Sequence, residues 1–177
     1  MESKNGRDQS SPLPSFELAE AKARAIRATC LQLAHDGKTG HLNGALSCTD
    51  ILIALFYYWL NMAPDQFHTP DRDRFIFSNG HDCAALYAVL ADRGLIPKHI
   101  LSSYAQGNSP LGIHPCKHML PILEISSGSL GHGLGVATGI SYALNLKESK
   151  GRAVVLMSDG ECNEGSVWEA AMFAAAH

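Results

Sequence analysis

Two short apolar runs constrain the fold of this chain more than any other feature. Residues 75–77 read Phe-Ile-Phe and residues 153–157 read Ala-Val-Val-Leu-Met. Each run stops at a polar, glycine-bearing turn, Ser78-Asn-Gly-His81 in the first case and Ser158-Asp-Gly-Glu161 in the second. Apolar runs this short, without polar alternation, read as strands buried on both faces. Helical patterns precede, separate and follow them. Buried strands alternating with helices predict an α/β fold, a parallel sheet flanked by helices. In such sheets ligands bind beyond the carboxyl ends of the strands, so the two turns are the first places to look for chemistry.

The helices follow from spacing and caps. Ser15 caps a helix starting near Phe16, with Glu17 and Glu20 in its first turn, where acids suit the dipole. Leu18, Ala21, Ala25, Ala28 and Leu31 form its apolar stripe, and it ends near Asp36-Gly37. Residues 39–47 read as a loop by composition. A second helix fits 49–60 and is apolar nearly all round, which predicts burial in the fold or against a partner. Further helices fit 82–92, with Leu86, Val89 and Leu90 on one face and Gly94 past its end, then 131–146, and 164 onward. Pro97 starts a short helix, and residues 106–129 are rich in loop-forming types. Residues 1–15 read as a flexible tail, and 16–177 as one domain.

Composition removes several function classes. The 177 residues are 46% hydrophobic and 18% charged, so the chain is not disordered. A net charge of -3 offers no electrostatic footprint for nucleic acid. The longest apolar run, residues 51–60, is too short to span a bilayer, and the polar first fifteen residues are no secretory signal. The five cysteines are widely spaced with no Cys-x-x-Cys, which predicts free thiols in a reducing, cytoplasmic compartment.

Candidate site residues cluster at the strand ends and in glycine-bearing loops. Asp159 offers a hard oxygen ligand for Mg²⁺ or Ca²⁺, and Gly160 permits close approach of an anion at the following helix N-terminus. Asp159, Glu161 and Glu164 lack a basic partner, so a bare phosphate is repelled there, whereas a metal–diphosphate pair is not. An ordinary Asp-Gly turn flanked by solvated glutamates accounts equally for the motif taken alone. His81 begins a helix, where the dipole disfavours the imidazolium; it serves either as an anion contact and proton carrier or as a capping residue. His41 and His114 sit in similar loops, each a site residue or a surface histidine.

Ser127-Gly-Ser-Leu-Gly-His-Gly-Leu-Gly135 places four glycines in eight residues at the start of a helix. This allows close approach of a ligand or of helix to sheet, although the spacing is not Gly-x-Gly-x-x-Gly. Gly37-Lys38-Thr39 lacks the upstream glycine of a Walker A loop, since position 32 is Gln. His114, Cys116 and His118 form an alternative zinc set without a fourth ligand. Cys162 has no basic neighbour to activate it.

Taken together and in order, these motifs resemble the amino-terminal, thiamine diphosphate-binding part of transketolases, and most closely the N-terminal subunit of split transketolases. The resemblance runs from about Leu18 to His177. It rests on Gly40-His41 with Leu46-Ser47 and Asp50-Ile-Leu52, on Asp73-Arg-Phe-Ile76 with Gly80-His81, and on His114-Pro115. Ser127-Gly-Ser-Leu-Gly-His-Gly133 and Asp159-Gly-Glu161 with Glu164-Gly-Ser-Val-Trp-Glu-Ala170 complete the set.

The resemblance implies thiamine diphosphate held through Mg²⁺ or Ca²⁺. It assigns Asp159 to the metal, and Gly160 and His81 to the diphosphate. Gly128, Ser129 and Leu130 line the cofactor, and Glu164 belongs to the cofactor site near the subunit interface. His41 and His114 become the catalytic pair that orients the sugar and assists proton transfer. The implied reaction moves a two-carbon ketol unit from a ketose to an aldose, phosphosugars of the pentose phosphate type. The alternative is a non-catalytic homologue acting as a subunit-binding module.

The chain departs from the family pattern at Ser158 and Asn43, where the family has glycine. Ser158 crowds its turn if that position needs a positive φ, and Asn43 tolerates a left-handed conformation. Only 16 residues follow Glu161, in helical pattern, so the strand carrying the family's second metal ligand is expected to be missing and the domain truncated. The pyrimidine-binding domain is expected on a partner chain, a C-terminal transketolase subunit, in an oligomer.

Overall fold

The computed structural model describes residues 14–63, 65 and 67–177. The expected tail therefore lies almost wholly outside the described residues. Seven elements follow in chain order: α1 (Phe16–Gly37), α2 (Leu42–Ala54), β1 (Arg74–Phe77), α3 (Cys83–Asp92), α4 (Gly133–Leu146), β2 (Ala153–Leu156) and α5 (Gly165–Ala176). The strands pair in parallel, Arg74 against Ala153 through Phe77 against Leu156. The expected α/β class holds. No helix among the described residues is long and apolar enough to cross a membrane.

Ser15 caps α1 by accepting from the Leu18 N–H at 3.3 Å. The buried stripe of α1 differs from the expected one. Ala23, Ile26, Cys30 and Leu33 face the core, while Leu18 and Leu31 are 43% and 51% exposed. The alanines of the expected stripe offer little apolar area, so the face bearing Ile26 and Leu33 wins. Arg27 flanks that face and reaches α2, where it makes a bidentate pair with Asp50 at 2.9 and 2.8 Å.

The second helix begins at Leu42, seven residues before Thr49, so the region read as a loop is largely helical. Tertiary burial overrides its composition: Ala45, Cys48 and Thr49 are buried, and the Thr49 hydroxyl donates to the Ala45 carbonyl at 2.8 Å. The helix widens into a π turn at Leu55–Trp59, closed by Leu60 N–H to Leu55 O at 2.7 Å.

Helix α3 is the centre of the core. Every residue from Cys83 to Ala91 is buried, not only the face of Leu86, Val89 and Leu90. It packs against α1 and α2, while α4 covers the sheet and α5 packs on α4. A helix apolar all round is stable only when surrounded in this way.

Asp73 fixes how β1 meets β2. Its fully buried carboxylate accepts from Arg152 Nη2 at 2.6 Å, Arg152 Nε at 3.1 Å, the Arg152 N–H at 3.0 Å and the Asn61 N–H at 2.8 Å. The Arg152 guanidinium stacks 4.0 Å from the Trp59 ring centroid. Removing one member of a buried pair leaves an uncompensated charge. Arg152→Ala is therefore expected to lower the unfolding free energy by about 3–5 kcal/mol, read from the urea midpoint. A loss below about 1 kcal/mol would show that the pair does not hold the strands together.

Candidate functional site

The loops at the carboxyl ends of both strands meet on one side chain, Glu161. It lies in the short 3₁₀ turn Gly160–Asn163 and has no exposed surface. One carboxylate oxygen accepts from the Ser78 hydroxyl, at the end of β1, and from the Gly131 N–H at 2.9 Å. The other accepts from the Ser158 N–H, at the end of β2, also at 2.9 Å. Ser78 in turn accepts from the Gly133 N–H at 3.1 Å. Hydrogen bonds to a charged acceptor are the strong ones, and here they offset the cost of burying a carboxylate among neutral groups.

The glycine-rich loop is seated by close approaches. Gly131 adopts φ +79°, and a Cβ there would lie 2.7 Å from Glu164 Cβ. The Ser166 hydroxyl donates to the Gly131 carbonyl at 2.9 Å, joining this loop to the first turn of α5. A Cβ on Gly80 would lie 2.7 Å from the Ser127 backbone, so the β1 loop and the glycine loop are in backbone contact. The His114 segment joins them. Ser127 N–H donates to Pro115 O at 3.1 Å, and the His114 ring covers Gly128. Ser78, Ser126, Ser127, Ser129 and His132 line an adjacent cavity of about 290 Å³.

Seven of the nine expected site residues fall in two groups, and Asp159 and Gly160 belong to neither. His41 and His81 face each other with ring centroids 5.0 Å apart and an interplanar angle of 71°. They border an open pocket of about 450 Å³. His114, Gly128, Ser129, Leu130 and Glu164 gather around the glycine loop. Asp159 and Gly160 project at the end of β2, both exposed, and the space beside Gly160 is open. Among the described residues no hydrogen bond or ion pair engages the Asp159 carboxylate. It is a single hard oxygen donor beside open backbone.

The three carboxylates of residues 159–164 thus divide: Glu161 turns inward, while Asp159 and Glu164 face solvent. Glu161 and its partner Ser78 escape a reading of the sequence, because a glutamate in an acidic turn looks solvated. Its spacing after the apolar run, with serine closing both runs, is the signal that finds it. Asp82 also escapes. It is buried beside His81, 3.6 Å from its Nε2.

Ser158 is absent from the positive-φ residues, so its side chain does not strain the turn, and its hydroxyl and N–H both serve Glu161. Asn43 lies in the first turn of α2 with right-handed helical conformation, so no left-handed tolerance is needed. Among the described residues no three His, Cys, Asp or Glu side chains stand close enough to hold a metal, which removes the zinc set of His114, Cys116 and His118. The backbone N–H groups of Met119 and His118 and the Ser126 hydroxyl hold the Cys116 thiol below its usual range.

A parallel sheet with three glycine-bearing loops converging past its strand ends is an α/β arrangement of the class in which ligands bind at that end of the sheet. Residues 18–177 match the family described as "Transketolase, thiamine diphosphate binding domain". The chain belongs to that family. One subunit of the apulose-4-phosphate transketolase of Actinobacillus succinogenes is 42% identical over 91% of this chain and 59% of its own length. The 6-deoxy-6-sulfo-D-fructose transketolase subunit SqwG of a Clostridium species is 33% identical over 86% of this chain and 56% of its own. The crystal structure of transketolase from Campylobacter jejuni superposes with a TM-score of 0.79 at 28% identity, covering 89% of this chain and 26% of that one. The chain thus spans somewhat over half the length of these two subunit relatives.

The glycine loop makes a testable demand. Gly131→Ala imposes a side chain on a left-handed residue and drives a Cβ into Glu164. A loss of about 2 kcal/mol or more in urea unfolding is expected, and a neutral variant would contradict this seating.

Proposed function

We propose that this chain is the diphosphate-binding half of a split transketolase. The observation that carries the reading is the convergence of both strand-end loops and the glycine loop on Glu161. That convergence leaves the Asp159 carboxylate free and exposed at the rim. Asp159 would hold Mg²⁺, or Ca²⁺, whose charge would offset that of the diphosphate of thiamine diphosphate. Gly160 lets the diphosphate approach the backbone, and His81 contacts it from the β1 side. Gly128, Ser129 and Leu130 line the cofactor, and Glu164 borders it where a second protein chain meets this one.

Bound there, thiamine diphosphate supplies the nucleophilic carbon and the electron sink for breaking and making a carbon–carbon bond. The chain's own residues do the rest. His41 and His114 orient the sugar's hydroxyl and carbonyl and carry protons to and from them. Burial of Ser78 and Glu161 keeps the loops in one arrangement before substrate arrives, so little reorganisation is needed. The reaction passes a two-carbon ketol unit from a ketose to an aldose, phosphosugars in cytoplasmic carbohydrate metabolism of the pentose phosphate type. The pyrimidine-binding domain comes from a C-terminal partner subunit, in an oligomer. The exposed apolar side chains of α4 and α5, Tyr142, Leu146, Trp168, Met172 and Phe173, support a protein partner on that face.

Calorimetric titration with Mg²⁺ and thiamine diphosphate tests this reading. Mixed with a pyrimidine-binding transketolase subunit, the chain is expected to bind the cofactor in a metal-dependent manner. Asp159→Ala should weaken that binding at least about tenfold. Tight binding by the isolated chain would remove the need for a partner, and binding indifferent to Asp159 would remove the metal assignment.

A further inference from the structure

Residues 115–127 form an irregular loop, without helix or strand, between two of the expected site residues: His114 precedes it and Gly128 follows it. Its neck is tied. The Ser127 N–H donates to the Pro115 carbonyl at 3.1 Å, the Lys117 N–H to the Ser126 hydroxyl at 2.9 Å, and Lys117 Nζ to the Glu124 carbonyl at 2.8 Å. Just outside that neck the His114 ring stands against Gly128, where a Cβ would lie 3.1 Å from His114 Cδ2. The loop spans β1. Ser127 touches Gly80, past the carboxyl end of the strand, and Glu124 meets Arg72, before its amino end.

Two kinds of contact hold the body of the loop. The first is apolar, through the buried side chains of Leu120 and Leu123. That packing is incomplete, since a cavity of about 20 Å³ lies among Phe56, Phe75, Phe77, Ile122 and Leu123. Apolar burial has no preferred direction, so it does not by itself fix where the loop sits. The second contact is an ion pair. Arg72 Nη1 lies 2.5 Å from Glu124 Oε1, with the side chains only 6% and 11% exposed. The guanidinium is held from other sides. Its Nε donates to the Phe67 carbonyl at 2.8 Å, its Nη1 to the Asp73 carbonyl at 2.9 Å, and it stacks 4.3 Å from the Phe67 ring centroid. Burial pulls the Arg72 pKa down, and the Glu124 carboxylate counters that pull. A planar guanidinium fixed in this way accepts a carboxylate in few positions.

We propose that Glu124 is a positioning residue: through its ion pair with Arg72 it sets where the 115–127 loop sits along β1, and so how His114 is presented over Gly128. The pair contributes register rather than stability, since replacing a buried ion pair by apolar side chains often costs nothing. This rests on the assignment of His114 and Gly128 to the functional site, but it requires no cofactor to be bound.

The test is the NMR position of the Gly128 α protons in the full chain, which the ring current of His114 displaces. His114→Ala gives their position without the ring. Arg72→Met combined with Glu124→Met replaces the pair by apolar side chains and leaves no charge buried alone. In that double variant the fold should survive, as read from the urea midpoint, while the Gly128 signals move most of the way to their His114→Ala position. Arg27→Ala, which breaks the pair with Asp50 between α1 and α2, should leave those signals in place. Unmoved Gly128 signals in the folded double variant would overturn the proposal, and so would an equal shift in Arg27→Ala. Should the double variant not fold, Glu124→Asp decides. It keeps the charge and shortens the tether by one methylene, so the Gly128 signals must shift toward the His114→Ala position. Their constancy would overturn the proposal as well. Cofactor binding is read separately by calorimetry, so failure of one reading is distinguishable from failure of the other.

Discussion

Glu161 is buried completely, yet its carboxylate meets no cation, only hydroxyl and backbone donors from three different segments. That arrangement ties the end of β1, the glycine loop and the end of β2 into one unit. The last ladder bond runs from the Ser78 N–H to the Leu156 carbonyl at 2.9 Å, and beyond it the glycine loop and the Ser158 turn meet β1 through this carboxylate. Without the carboxylate, Ser78 and the N–H groups of Gly131 and Ser158 would lose their common acceptor in the interior. The same carboxylate fixes the orientation of the turn that carries it, and so sets Asp159 at the rim. A buried anion thereby determines where an exposed anion stands.

Two carboxylates solve the same physical problem differently at opposite ends of the sheet. Asp73, before β1, is paired with the Arg152 guanidinium and two backbone amides, a charge-neutral cluster that closes the lower edge. Glu161, past β2, is held by dipoles alone. The first arrangement places a cation before the strands. At the other end, among the described residues, no basic side chain pairs with Asp159, in keeping with the proposed metal.

The sheet and the order of elements were legible in the sequence because their signals are local. Apolar runs closed by Ser-Asn-Gly and Ser-Asp-Gly marked both strands, and Ser15 marked the start of α1. The loops that gather His41, His81, His114 and the glycines were legible through motif order. What stayed hidden depends on distant partners. The start of α2 at Leu42 is set by packing of Ala45 and Cys48, not by the propensity of Asn43 and Gly44. The buried face of α1 is decided by which side chains its neighbours can cover, and a run of alanines gives no strong preference. Glu161 and Asp82 are polar residues turned inward; each has a partner close in sequence, Ser158 or Asn79, but Ser78 and Gly131, which complete the burial of Glu161, are distant.

The dependence of the site on Glu161 is most directly read by amide hydrogen exchange on Glu161→Ala. The variant should lose protection together at Ser158, Gly131 and Gly133, amides from two separate loops, while the amides of α3 keep theirs. Loss confined to Ser158, with the glycine loop still protected, would mean that the loops are seated independently and that Glu161 does not organise them.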